Sequence, residues 1–330
     1  MQQRRVGRTG LTVSDVGLGT MTWGRDTDEH EAAEQLEVFL DAGGSLVDTA
    51  ATYGDGAAEE VIGALLASAV DRDDVVLVSK AGVRTRRTGD GGGVVDASRG
   101  SLLDTLDASL ARLGTDHLDL WLVQSPDPAT PIEETVGALE HAVRTGRCRY
   151  VGLSNFPAWT TAQAATLLAA GGPLGPGAPG LAAVEVEYSL LQRGIERELA
   201  PAARALGAGV LAWSPLGRGV LTGKYRHSVP ASSRAASPHL RGFVEPYLND
   251  HAHGVVEAVT TAASGLGRTP LEVALAWVRD APGVCSAIAG ARTAGQLRGV
   301  LAACDLALPD PIRAVLDEVT SPELGYPERF

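Results

Sequence analysis

The chain is predicted to fold as an α/β protein, a single (β/α)8 TIM barrel with an N-terminal β-hairpin and long loops on its C-terminal face. Three observations predict this. Short apolar runs rich in β-branched residues alternate with stretches of helical spacing through eight repeats, the pattern of a parallel barrel. The 330 residues, 45% hydrophobic, suffice for a large core and fit one barrel with insertions as well as two domains. Because the repeat resumes directly after the one Gly- and Pro-rich stretch, 171–180, that stretch reads as a loop and the domain as 1–330. Finally, two successive strands end in charged residues, Asp48 and Lys80, and the C-terminal strand ends of such a barrel are where its chemistry is kept.

The elements follow in order. Residues 4–14 read as a hairpin turning at Thr9-Gly10, and 16–20 as the first barrel strand, with Met21-Thr22-Trp23 on the loop beyond it. Acids at 26–28 offer caps for a helix over 29–42. Residues 45–49 are too short for a helix and follow paired glycines, so they form the second strand. It ends in Asp48, turns through small residues to Tyr53, and leads into a helix over 59–69. The third strand, 75–80, ends in Lys80. A lysine there is costly unless paired or solvated, and Asp48 can pair with it. A tyrosine beside that ammonium would have its phenolate stabilised and its pKa lowered from about 10, which would suit a general acid for a carbonyl oxygen. Taken alone, Asp48 reads equally well as a loop cap and Tyr53 as a half-buried aromatic.

The loop 82–96 is basic (Arg84, Arg86, Arg87) and then glycine-rich, but no helix-opening glycine pattern follows, so it reads as a flap or a solvated loop rather than a phosphate cradle. A helix over 98–113 places Leu102, Leu103, Leu106 and Leu110 on one face. Strand four, 117–123, runs into Gln124, and a helix covers 132–145. Strand five, 149–153, ends at Ser154-Asn155, an ordinary turn by composition, and a helix covers 158–170. Strand six, 181–187, carries Glu185 and leads to Tyr188, and strand seven is 209–213. The loop 214–249 is long for a compact domain, which predicts a functional segment. Helices cover 253–266 and 270–280, the second capped by Thr269 with Pro270 in its first turn. Strand eight, 284–289, precedes Arg292 and a helix from 294. A helix N-terminus with an arginine suits a phosphate. A last helix spans 309–318, followed by a tail over 321–330.

The net charge of -12 and pI near 5.1 argue against a general nucleic-acid or membrane-surface binder, while leaving room for a local basic pocket. Cys148, Cys285 and Cys304 form no disulfide framework or metal spacing, and His251 and His253 lack further ligands nearby, so no metal is expected. The start of the chain leads into no apolar stretch and no run approaches a bilayer's thickness, which predicts a cytoplasmic protein without a membrane partner. The Ala-, Gly- and Arg-rich composition suggests a bacterial source.

The ordered motifs resemble the aldo-keto reductases over nearly the whole chain, 11–301. The stretch 44–63, with Asp48, Tyr53, Glu59 and Gly63, is similar to that family's first signature, and 109–120 resembles its SL-RLGTD-IDL block. Later blocks match at 152–156, 187–191 and 213–219. The resemblance implies Asp48, Tyr53, Lys80 and Gln124 as catalytic positions, with glutamine at 124 where most members have histidine. Glutamine can donate a hydrogen bond but cannot carry a proton. It implies Ser154 and Asn155 against a nicotinamide carboxamide, Glu185 where glutamine is usual, and Tyr188 stacked on the ring. Ser214, Leu216, Gly217 and Gly219 become a belt over the pyrophosphate, with Arg218 and Lys224 adding charge. Arg292 and Gln296 hold the 2′-phosphate of NADPH, Trp23 lines the substrate mouth, and the hairpin closes the barrel bottom. The implied activity is NADPH-dependent reduction of an aldehyde, ketone or conjugated carbonyl, with a small-molecule carbonyl as substrate and no nucleic acid as partner. A homo-oligomer stays open. Gln124 and Glu185 leave two alternatives: an NADP(H)-binding sensor or subunit with little turnover, and a natural-product tailoring enzyme running an atypical reaction.

Overall fold

The computed structural model describes residues 1–85, 93–171, 180–231, 233–322 and 325. Two short strands, β1 (Gln3–Arg5) and β2 (Thr12–Ser14), pair antiparallel ahead of the barrel. The chain then runs β3 (Val16–Gly19), α1 (Glu29–Asp41), β4 (Leu46–Asp48), α2 (Ala57–Ser68), β5 (Val76–Ala81), β6 (Val83–Thr85), β7 (Gly93–Val95), α3 (Arg99–Leu113), β8 (Leu118–Val123), α4 (Ile132–Arg144), β9 (Cys148–Ser154) and α5 (Ala158–Gly171). It continues with β10 (Ala183–Glu187), α6 (Leu199–Leu206), β11 (Gly209–Trp213), α7 (Arg241–Val244), α8 (Asp250–Leu266), α9 (Pro270–Arg279), β12 (Val284–Ala289), α10 (Ala294–Leu301) and α11 (Asp310–Val319).

Strands β3, β4, β5, β8, β9, β10, β11 and β12 close into one barrel in that order, every neighbour parallel. Each strand therefore pairs with its predecessor, and the return path is a helix on the outside, as the alternating pattern requires. The hairpin seals the N-terminal end: Val6, Leu11 and Val13 join Leu46, Val78, Leu120 and Leu211 in one buried cluster inside the barrel. That leaves the opposite end, with Asp48 and Lys80 near the tips of β4 and β5, free to form a site.

Local chemistry sets many boundaries. Asp28 caps α1, its carboxylate accepting from the Glu31 amide. Thr269 and Glu272 form a reciprocal capping box at α9, with Pro270 in the first turn as expected. Asn249 caps α8 by accepting from the Ala252 amide, so that helix starts at Asp250, three residues ahead of the expected 253. The expected loop 82–96 is in part an antiparallel pair, β6 with β7; 86–92, with Arg86 and Arg87, lies outside the described residues. So do 172–179 of the loop 171–180 and most of the tail 321–330. The long loop 214–249 carries α7 and short helical turns at Gly217–Thr222, Arg234–Ala236 and Glu245–Tyr247. Among the described residues, no helix is long and apolar enough to cross a membrane.

One polar link fixes the wall beneath the site. Glu59 on α2 is fully buried; it accepts from the Ser79 hydroxyl on β5 at 2.6 Å and from Arg112 Nε on α3 at 2.8 Å. The two helices can approach this closely because Gly63 carries no side chain: a Cβ there would lie 2.2 Å from the Arg112 carbonyl oxygen. Arg112→Met leaves the Glu59 carboxylate buried without its cation. We expect a loss of about 3 kcal/mol of stability, read as a lower midpoint in urea denaturation with an unchanged slope.

Candidate active site

The C-terminal strand ends open into a cavity of 490 Å³. At one end of it lies Lys80, buried at the tip of β5. Its ammonium donates to Asp48 Oδ1 at 2.5 Å and to the Thr49 carbonyl at 2.9 Å. It also lies 3.3 Å from Glu185 Oε1 on β10, across the barrel, and 5.3 Å from the centre of the Tyr53 ring. The turn Tyr53–Gly56 presents that ring from behind β4, and the positive φ of Gly54 (59°), Asp55 (57°) and Gly56 (101°) lets the chain reverse so sharply. Asp48, Tyr53 and Lys80 are thus brought together as expected, and Glu185 joins them.

The electrostatics differ from the expectation. Burial pushes the Tyr53 phenol above its ordinary value; Asp48 and Glu185 push the same way, and Lys80 only partly opposes them. Tyr53 is therefore a neutral phenol rather than a tyrosine poised to ionise near neutral pH, and a neutral phenol is the form that can donate a proton. Burial works against the charge on Lys80, but Asp48 and Glu185 outweigh it and raise its pKa. Burial raises Asp48 as well. It raises Glu185 to about 8, reinforced by Asp48 and opposed by Lys80.

Above this group stand Gln124, Ser154 and Asn155. The Gln124 side chain hydrogen-bonds with the Thr52 hydroxyl, its Nε2 3.2 Å away. Asn155, in a left-handed conformation that asparagine tolerates, ties three strand ends together. Its amide donates to the Gln124 carbonyl and the Ser154 hydroxyl, both at 3.0 Å, and its oxygen accepts from Trp213 Nε1 at 3.1 Å.

The cavity also has a cationic group: Lys224, Arg234 and Arg292 all line it, with Gln296, Leu216, Gly219 and Ser214. Burial, Arg234 and Arg292 pull Lys224 down to about 8. Burial and Arg292 lower Arg234 as well. Like charges held this close in a partly dehydrated pocket are relieved by an anion. Gly219, at φ 93°, keeps room beside them, since a Cβ there would lie 3.0 Å from Lys224 Nζ. Several amides around the start of α10 are already engaged: Arg292 N donates to Gln296 Oε1 at 3.0 Å, Ala294 N to Glu31, and Gln296 N to the Thr293 hydroxyl. An anion here would rest largely on these cationic side chains.

Three expected positions lie elsewhere, and a fourth is committed to another partner. Trp23 is fully buried, its indole N–H donating to Gln35, and it does not line the cavity. Tyr188 is a core residue: its hydroxyl donates to Glu196 at 2.8 Å and its ring packs 5.4 Å from Trp277, so it presents no face to the cavity. Gly217 sits against Leu191, away from the lining. Arg218 reaches the cavity wall, but it is committed to Glu187 through two bonds of 2.8 and 2.6 Å and lies over Phe243. Arg234 is not foreseen from the sequence; a lone arginine in a long loop carries no signal of where it folds back.

The chain has relatives among known proteins. A model of the aldo/keto reductase family matches residues 15–320. The chain is 35% identical, over 97% of its length and 96% of the relative's, to an uncharacterized oxidoreductase, YrpG, of Bacillus subtilis (strain 168). It is 33% identical, over 100% of its length and 98% of the relative's, to a probable voltage-gated potassium channel subunit beta of Oryza sativa subsp. japonica. It is 31% identical, over 91% and 88% of the two chains, to the aldo-keto reductase YhdN of Bacillus subtilis (strain 168).

Proposed function

The chain belongs to the aldo/keto reductase family, and we propose that it is an NADPH-dependent oxidoreductase that reduces an aldehyde, a ketone or a conjugated carbonyl. One observation carries this reading: a single cavity is lined both by a buried Tyr53–Lys80–Asp48 group and by the cations Lys224, Arg234 and Arg292. The donor set fits a phosphorylated nicotinamide cofactor. Three crowded cations match its phosphates, the Ser154 hydroxyl and the remaining acceptor capacity of Asn155 Oδ1 match a carboxamide, and the buried Glu185 Oε2 has no hydrogen-bond partner among the described residues.

The bound cofactor supplies the hydride; the rest falls to the chain. The Tyr53 hydroxyl donates to the carbonyl oxygen and gives up its proton as negative charge develops there. Lys80 stabilises the resulting phenolate, and Asp48 holds Lys80 in place. The Gln124 Nε2–H, released from Thr52, is a second donor that orients the carbonyl without supplying a proton.

The phosphate end is tested by cofactor discrimination. Arg292→Ala should weaken NADPH binding about 10- to 100-fold, the worth of a charge-assisted hydrogen bond, and barely affect NADH, as read by fluorescence titration. An equal loss for both cofactors would remove Arg292 from the 2′-phosphate site.

A second reading has its own support. Glutamine stands at position 124, and relatives in Oryza sativa and in Arabidopsis thaliana are named probable potassium channel subunits. On that reading the chain binds NADP(H) as a sensor or subunit with little turnover. Cofactor binding without carbonyl-dependent oxidation would favour it.

A further inference from the structure

The catalytic lysine carries a second acid beside Asp48. Lys80 donates to Asp48 Oδ1 at 2.5 Å and to the Thr49 carbonyl at 2.9 Å, and its ammonium forms a second ion pair with Glu185 Oε1 at 3.3 Å. Glu185 is buried, it lines the cavity, and its Oε2 has no hydrogen-bond partner among the described residues. Around it, Asp48 on β4, Tyr53 on the turn that follows and Lys80 on β5 are the groups that bear charge or titrate. Its sheet neighbours are Ser154 on β9 and Leu211 on β11, which do neither. Glu187, two residues along the strand, is spent on Arg218.

We propose that Glu185 is a specificity residue that sets the preference between oxidised and reduced cofactor: as a carboxylate it favours the cationic nicotinamide of NADP+ over the neutral ring of NADPH. This rests on the reading of the cavity as a nicotinamide site. With Asp48, Glu185 and Lys80 all ionised, the buried group carries one uncompensated negative charge, which a low-dielectric site does not tolerate. Asp48, the nearer partner of Lys80, is the ionised acid, and Glu185 holds a proton instead. Its elevated value, about 8, agrees with this. A cation entering the cavity removes the need for that proton. Binding of NADP+ therefore releases one proton from Glu185 to solvent, and binding of NADPH releases none. Both forms carry the same phosphates to the same cations, so the ratio of their affinities isolates this end of the pocket.

The test is fluorescence titration of the wild-type protein and Glu185→Gln with NADP+ and NADPH at pH 6, 7 and 8. Calorimetry at pH 7 in two buffers of different ionisation enthalpy counts the protons released. In the wild type the ratio Kd(NADPH)/Kd(NADP+) should rise by up to about tenfold per pH unit over this range, with close to one proton released by NADP+ and none by NADPH. In Glu185→Gln the ratio should be flat and the proton absent. A flat wild-type ratio, or an unchanged slope in the variant, overturns the proposal. If the variant does not fold, the wild-type proton count decides alone. If neither cofactor binds the wild type, the nicotinamide reading itself has failed and the proposal falls with it.

Discussion

Tyr53→Phe should slow carbonyl reduction by about 10²- to 10⁴-fold, the usual worth of a positioned general acid, and leave NADPH affinity nearly unchanged. The phenylalanine ring keeps the packing of the tyrosine beside Lys80 and loses only the group that hands a proton to the substrate oxygen. The effect belongs in the single-turnover rate, because the proton is needed only as charge develops on the oxygen. The wild-type pH profile is the companion measurement. Burial, Asp48 and Glu185 raise the phenol above its ordinary value. Reduction should thus show no alkaline loss from Tyr53 below about pH 10. A fall centred near neutrality that Tyr53→Phe abolished would mean that the phenol ionises far more readily than its surroundings imply.

The second large effect is on the lysine beneath it. Lys80→Met leaves Asp48 and Glu185 buried with no cation between them, and we expect the protein to lose about 3–5 kcal/mol of stability together with its reductase activity. The sign of the pH dependence follows from the orphaned acids. In the folded variant their pKa values rise further above those in the unfolded chain, so the folded state holds protons that the unfolded state gives up. Above pH 4 to 5, stability then falls as pH rises, and the deficit against wild type should widen from pH 5 to pH 8. Urea denaturation at both values measures it. A deficit that shrank with rising pH would mean that Lys80 is not the counter-charge of these carboxylates.

Much of this is legible in the amino-acid sequence, for identifiable reasons. Asp48 and Lys80 stand out because charged residues at the ends of buried strands need partners, and adjacent parallel strands bring their ends together. Asp28, Thr269 and Pro270 mark helix starts through local hydrogen-bond chemistry that tertiary context does not alter. What stays hidden depends on contacts between distant parts of the chain. The approach of Glu185 to Lys80 joins strands 105 positions apart and exists only once the barrel closes. Trp23 and Tyr188 look the same in sequence whether an aromatic faces a cavity or the core. Pairing with Gln35 and Glu196 settles each of them inward. Arg218 suggests a phosphate ligand in sequence, but in the fold Glu187 holds it. The sequence misleads on the direction of the Tyr53 shift because it displays the lysine that lowers the pKa and conceals both the burial and the second carboxylate that raise it.

The most direct test is single-turnover mixing of the NADPH-loaded wild-type protein with a panel of aldehydes, ketones and enones, following the loss of cofactor absorbance. Carbonyl-dependent oxidation of NADPH by at least one class, faster than without substrate and lost in Tyr53→Phe, is the expected result. Tight NADPH binding with no oxidation across the panel, or oxidation that persists undiminished in Tyr53→Phe, would contradict it.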